Sequence, residues 1–238
     1  MAPARFGLGG RTGARRAPIW LTVAELAAKA SPLPQPIALL ADLDDPACAD
    51  LANLAPSEED LIDAGRPSAG ARAYFLRRRA LLRLLVGYYL SVPRSEVKIS
   101  YDAHGAPLVA SNPSCFVSVS ARGSLAALAV ACAPIGVDIE LSGETREPVW
   151  TVLHEREREF LKGLDPDQRH AAFLRIWTMK EAYLKAIGRG FERDPTEIEV
   201  SDDGNNRALV RDARTLVSAR AAEWKVCGER IAACFVGQ

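Results

Sequence analysis

The chain has 238 residues, 48% of them apolar, and its 30 Lys+Arg balance 30 Asp+Glu at zero net charge. This composition excludes a disordered chain, which lacks the apolar residues for a core, and a dedicated nucleic-acid binder, which carries a basic excess. The length suits one large domain or two lobes of roughly 110 residues each.

In chain order, the first feature is a Gly/Arg-rich stretch with Arg5, Arg11, Arg15 and Arg16, ahead of the first acidic residue, Glu25. It lacks the apolar segment of a secretory signal, and it is neither Ser-rich nor amphipathic as a transit peptide would be. Residues 1–17 are therefore expected to form a flexible basic tail. Next comes a helix over Arg72–Leu90 carrying Arg72, Arg77, Arg78, Arg79 and Arg83. This run reads either as a solvated face or as a local anion site. Ser95–Asp102 alternates apolar and polar residues and ends in turn residues, the pattern of a half-buried strand. Cys115–Val119 then leads through Gly123 into Leu125–Ala133.

After Pro134 the order repeats. A helix opens at Phe173-Leu174-Arg175-Ile176-Trp177 and ends by Gly188, and Thr196–Asp203 alternates again. Trp224–Cys227 then leads through Gly228 into Ile231–Val236. The kept order predicts an α+β fold of two similar lobes related by a pseudo-twofold axis, each a long helix on a small antiparallel sheet. Residues 18–133 would form one lobe and 134–238 the other. Two such lobes build a cleft within one chain, so a monomer is expected.

The five cysteines form no CxxC pair, and Cys115, Cys132 and Cys234 sit in apolar runs. They are expected to be reduced, buried thiols of a cytoplasmic protein. His104, His154 and His170 show no ligand spacing. The longest apolar run, Leu125–Val137, is broken by Pro134 and is shorter than the about 20 residues of a membrane span.

Candidate chemistry begins just after Pro134, at Ile135-Gly136-Val137-Asp138-Ile139-Glu140. On a strand, Asp138 and Glu140 share one face, roughly 6–7 Å apart. Their repulsion must be relieved by solvent or by a cation, and a hard divalent ion such as Mg²⁺ suits oxygen ligands at that gap. On the later helix, Ile176, Met179, Tyr183 and Ile187 share a core-facing side. Glu181 and Lys185 are i,i+4 neighbours roughly opposite, where they read as a surface ion pair or as a further metal ligand and a phosphate-binding cation.

Gly136-Val137-Asp138-Ile139-Glu140 followed by Trp177-xx-Lys180-Glu181-Ala182-xx-Lys185 resembles the surfactin-synthetase type of 4′-phosphopantetheinyl transferases. Arg79-Ala80-Leu81-Leu82-Arg83 resembles that family's N-lobe helix. The resemblance implies two similar α+β lobes with coenzyme A bound between them. It also implies transfer of the phosphopantetheine arm to a serine hydroxyl of an acyl or peptidyl carrier protein, releasing 3′,5′-ADP. By the same resemblance Asp138, Glu140 and Glu181 hold Mg²⁺, Lys185 steadies phosphate, and Glu181 or a water it orients takes the serine proton. Lys180, Ser120, Arg122, Gly105, Arg72 and Arg79 are the further expected coenzyme contacts. Glu157 matches another acidic position of the family, although Leu153-His154-Glu155-Arg156-Glu157 reads equally as solvated surface.

Two positions depart from the family. Its Ser-His is Ser120-Ala121-Arg122 here, and its Gly-Lys-Pro turn is Gly105-Ala106-Pro107. Losing a charged hydrogen bond to phosphate costs about 1.5–3 kcal/mol, so coenzyme binding should weaken more than turnover. Arg122 is a candidate replacement cation. The competing readings are a non-catalytic carrier-protein or coenzyme-binding module that kept the fold, and another Mg²⁺-dependent enzyme acting on a diphosphate.

Overall fold

The computed structural model describes residues 19–28, 36–50, 60, 69–141, 147–188, 193–204, 207–214, 218–226 and 229–235. The expected tail, residues 1–17, lies outside them, as do Cys227 and the Cys234 side chain. Two sheets and a separate hairpin organise the chain. The first sheet has the order β1-β2-β6-β5, from β1 (Ile19–Leu21), β2 (Ile37–Asp42), β5 (Phe116–Arg122) and β6 (Leu125–Ala131). The hairpin joins β3 (Ile99–Tyr101) to β4 (Pro107–Val109). The second sheet has the order β7-β11-β10-β9-β8, from β7 (Ile135–Glu140), β8 (Ile198–Gly204), β9 (Arg207–Asp212), β10 (Ser218–Val226) and β11 (Glu229–Phe235).

Five helices accompany the described strands: α1 (Val23–Ala28), the single turn α2 (Pro46–Ala49), α3 (Ala69–Leu90), α4 (Glu155–Lys162) and α5 (Pro166–Ala186). In each half the strand before the long helix pairs antiparallel with the last strand of that half, β2 with β6 and β7 with β11. Among the described residues four strands follow each long helix, one more than the alternation patterns expose. The three-residue β4 and the six-residue β9 are the additional strands. The sheets are not wholly antiparallel either: β1 and β2 run parallel. The first strand after each long helix starts later than expected, because residues 94–96 and 195–197 form 3₁₀ turns.

β6 reads as an unbroken apolar run because both of its faces are covered. Ala126, Leu128 and Val130 pack with Leu81, Leu82, Leu85 and Val86 of α3. Ala127, Ala129 and Ala131 pack with Ile135, Val137 and Ile139 of β7. The small alanines let β7 approach closely, and strand alternation then turns Gly136, Asp138 and Glu140 away from β6. On that side lies α5. A Cβ built on Gly136 would stand 1.8 Å from the Ala182 carbonyl oxygen and 2.6 Å from the Ala186 nitrogen. Only glycine admits this approach of helix backbone to strand.

Apart from exposed Arg72, the arginines of α3 do not form a solvated face. Arg83 meets buried Asp60 at 2.5 Å, and Arg79 lies 3.9 Å from the same carboxylate. Arg77 donates to the Leu43 carbonyl. Cys48 and Cys115 are buried, whereas Cys132 is exposed. The latter corrects the expectation for that thiol, which sits just past the end of β6, where the covering elements stop. Among the described residues no helix is long and apolar enough to cross a membrane.

Candidate functional site

The two motifs meet where β7 lies between β5 and α5. Ser118 of β5 accepts the Val137 N–H at 3.0 Å, locking the two strands side by side. Two residues further on, Ser120 Oγ donates to Asp138 Oδ1 at 2.8 Å. From α5, Lys185 Nζ reaches the same Oδ1 at 2.6 Å and the Val137 carbonyl at 3.3 Å. Arg122 forks onto Glu140, Nε to Oε2 at 3.0 Å and Nη2 to Oε1 at 2.6 Å. Glu181 lies near enough that burial, then the Asp138 charge, push its carboxyl above the usual range, with Lys185 and Arg122 opposing. Three carboxylates and two cations thus share one small volume.

Asp138 Oδ2 and Glu181 Oε1 are both buried with no hydrogen-bond donor. Buried anionic oxygens in that state are costly, and a hard cation removes the cost. Asp138 and Glu181 therefore fit a divalent ion. Glu140 has both oxygens engaged by Arg122. As they stand, no three His, Cys, Asp or Glu side chains among the described residues converge closely enough to hold a metal.

Ser120 and Ala121 also line a cleft of about 540 Å³ with Phe75, Arg78, Arg79, Tyr101, Gly105 and Pro107. Arg79 is stacked between two rings, 3.6 Å from the Tyr101 centroid and 4.7 Å from that of Phe75. Burial pulls the neighbouring Arg78 below the usual guanidinium range. Gly105 adopts φ 82°, and the turn is held by the Ala106 and His104 N–H groups on Asp102 Oδ1. The turn survives without the family's lysine. The cleft's cations come from α3. Arg122 and Glu140 line a second cavity, of about 390 Å³, with Val149, Phe173, Leu174 and Trp177.

Of the expected site residues, Asp138, Glu140, Glu181, Lys185, Ser120 and Arg122 come together, with Arg79 and Gly105 in the adjoining cleft. Arg72 is exposed in the first turn of α3 and is not among the residues lining that cleft. Lys180 corrects an expectation. Its side chain is fully buried, paired with Glu157 at 2.6 Å and bonded to the Val152 and Pro195 carbonyls at 3.0 and 2.8 Å. Five residues along a helix turn it roughly 140° from Lys185, so one lysine faces the core and the other β7. Glu157, read equally as surface, is buried too. It also accepts the His154 and Val200 N–H groups, each at 2.8 Å, capping α4 and tying it to β8.

The sequence pattern had singled out neither Ser118 nor the task of Gly136, and it had named Arg78 only as one of the arginine run. The signals were there: Ser118 is two residues from Ser120 on the same strand face, and a glycine inside a strand marks a close backbone approach.

Residues 134–235 match the model of the 4′-phosphopantetheinyl transferase superfamily. The 4′-phosphopantetheinyl transferase HetI of Nostoc sp. (strain PCC 7120) is 33% identical over 137 residues, 55% of this chain and 57% of that protein. The transferase psf-1 of Bacillus pumilus is 28% identical over 159 residues, 64% of this chain and 63% of its own. Sfp of Bacillus subtilis (strain 168) is 25% identical over 142 residues, 57% and 62% of the two chains. The chain thus spans 57% to 63% of the length of these curated relatives. The matched segment, residues 134–235, holds both motifs, so it is this C-terminal part of the chain that is similar to the 4′-phosphopantetheinyl transferase superfamily.

Proposed function

We propose that the chain transfers the 4′-phosphopantetheine arm of coenzyme A to a serine hydroxyl of an acyl or peptidyl carrier protein. The observation that carries this reading is the meeting of Asp138, Glu140, Glu181 and Lys185 beside Ser120, at the edge of an arginine-bearing cleft. The cleft takes the nucleotide end of coenzyme A, with Arg78 and Arg79 as its cations. Ser120 orients Asp138. Lys185 steadies phosphate oxygens as charge develops on them. Bound between Asp138 and Glu181, with Glu140 completing its shell, Mg²⁺ would neutralise the diphosphate and polarise it toward attack.

The carrier serine approaches from the Trp177 cavity. As its oxygen bonds to the β-phosphorus, the bond to the bridging oxygen breaks and 3′,5′-ADP leaves. Glu181, or a water it holds, accepts the serine proton.

The shared strand pairings of β2–β6 and β7–β11 support two lobes, residues 18–133 and 134–238, related by a pseudo-twofold axis, behind a basic tail of residues 1–17. The chain acts as a cytoplasmic monomer without nucleic acid or membrane. The test is incubation with Mg²⁺, coenzyme A and a panel of apo carrier proteins, read by intact-protein mass spectrometry. Gain of the phosphopantetheine mass on a carrier supports the proposal. No transfer at saturating coenzyme A would leave the non-catalytic binding module, which Ala106 and Ala121 favour, as the better reading.

A further inference from the structure

The three carboxylates of the site are held in different ways. Asp138 gives one oxygen to Ser120 and Lys185 and keeps Oδ2 without a donor. Glu181 keeps Oε1 without a donor. Glu140 alone has both oxygens covered, because the planar Arg122 fork matches the two carboxylate oxygens at 3.0 and 2.6 Å. A guanidinium in that geometry occupies the edge of the carboxylate that a cation would use. Arg122 is also the more movable partner: its side chain is 53% exposed, against 12% for Glu140. It ends β5 between the two cavities, with Ser120 and Ala121 lining one and Arg122 the other.

We infer that Arg122 is a latch on Glu140: it withholds this carboxylate from the divalent cation until the guanidinium transfers to a phosphate oxygen of the incoming diphosphate. The site would then bind cation weakly when empty and fully when substrate is present. Arginine suits the exchange, since the same fork pairs with carboxylate or phosphate. In this role Arg122 is a positioning residue, acting on the cation through Glu140. The inference rests on the proposed cation site at Asp138, Glu140 and Glu181, but not on transfer to any carrier.

The test is Mn²⁺ binding by the full chain, followed by electron paramagnetic resonance of the free ion, without and with coenzyme A. Without coenzyme A, Arg122→Ala should bind Mn²⁺ about tenfold more tightly than the native chain. Arg122→Lys, which keeps the charge but not the fork, should bind at least about threefold more tightly. The Arg122→Ala gain should vanish in the double variant Arg122→Ala/Glu140→Gln. With coenzyme A present, the native chain should approach Arg122→Ala. Equal affinity of native chain and Arg122→Ala overturns the latch and leaves the cation site standing. So does native-like binding by Arg122→Lys, which would reduce the effect to the arginine's charge. A gain that persists in the double variant overturns it as well. No Mn²⁺ binding by any folded variant overturns the cation site itself, and the latch with it.

Discussion

The two halves of the chain follow one order of elements and put it to different uses. In the C-terminal half, β7 and α5 touch backbone to backbone at Gly136, so the carboxylates of the strand and those of the helix are held at a fixed spacing. In the N-terminal half, α3 packs on β6 through Leu81, Leu82, Leu85 and Val86, a thicker contact with no glycine at its centre. Its charges serve the fold first, Arg83 on Asp60 and Arg77 on a carbonyl, and only Arg78 and Arg79 face the cleft. In the proposed reaction, the groups that must lie within hydrogen-bond reach of one another would sit on the closer pairing, and the coenzyme would be bound at the thicker one.

The largest effect should come from the C-terminal half. Glu181→Gln removes both a candidate ligand and the proton acceptor, and should lower kcat for carrier modification by three to four orders of magnitude with the melting temperature nearly unchanged. Activity within tenfold of native would take Glu181 out of the site.

Lys180→Met leaves Glu157 buried without its cation, which should cost about 3–5 kcal/mol in urea unfolding. Adding Glu157→Leu should restore much of that loss. If Lys180 instead contacts coenzyme A, stability will hold and the coenzyme KM will rise.

Gly136→Ala separates spacing from chemistry. The added methyl meets helix backbone that cannot swing aside, so a loss of about 3 kcal/mol is expected, together with a lower kcat in the folded protein. Native kcat in this variant would mean that α5 can shift without disturbing the carboxylates.

The N-terminal half should respond to gain rather than loss. Ala121→His or Ala106→Lys places a cation at the arginine cleft and should lower the coenzyme A KM by about tenfold, leaving kcat unchanged. An unchanged KM would mean that Arg78 and Arg79 already serve the phosphates.

The smallest effect is acid sensitivity at the far side of the second sheet. Burial alone would raise the Asp212 carboxyl. Hydrogen bonds from Arg193, the Arg214 N–H and Tyr183 together hold it below its ordinary value of 3.8. The folded state thus binds this proton less readily than the unfolded chain. The stabilisation is present above about that value and is lost as pH falls through the lower folded-state pKa. Asp212→Asn should flatten the fall of the urea midpoint as the pH is lowered below the ordinary carboxyl value of 3.8. An unaltered fall would place the acid-sensitive carboxylates elsewhere.

Residue type and spacing were enough to determine the two motifs, the face shared by Asp138 and Glu140, and the repeated order of elements. These depend on local periodicity, which the chain carries within itself. Which side of α5 meets β7 was not determined there. The helix is buried against Ile198 and Val210 on one side and against Leu153 and Leu161 on another, so its apolar residues mark no single inner face. Only the packing of backbone on Gly136 turned Lys185 toward Asp138 and Lys180 toward Glu157. The pairing of Arg122 with Glu140 was decided in the same way, by two strands brought side by side through contacts that neither sequence segment makes alone.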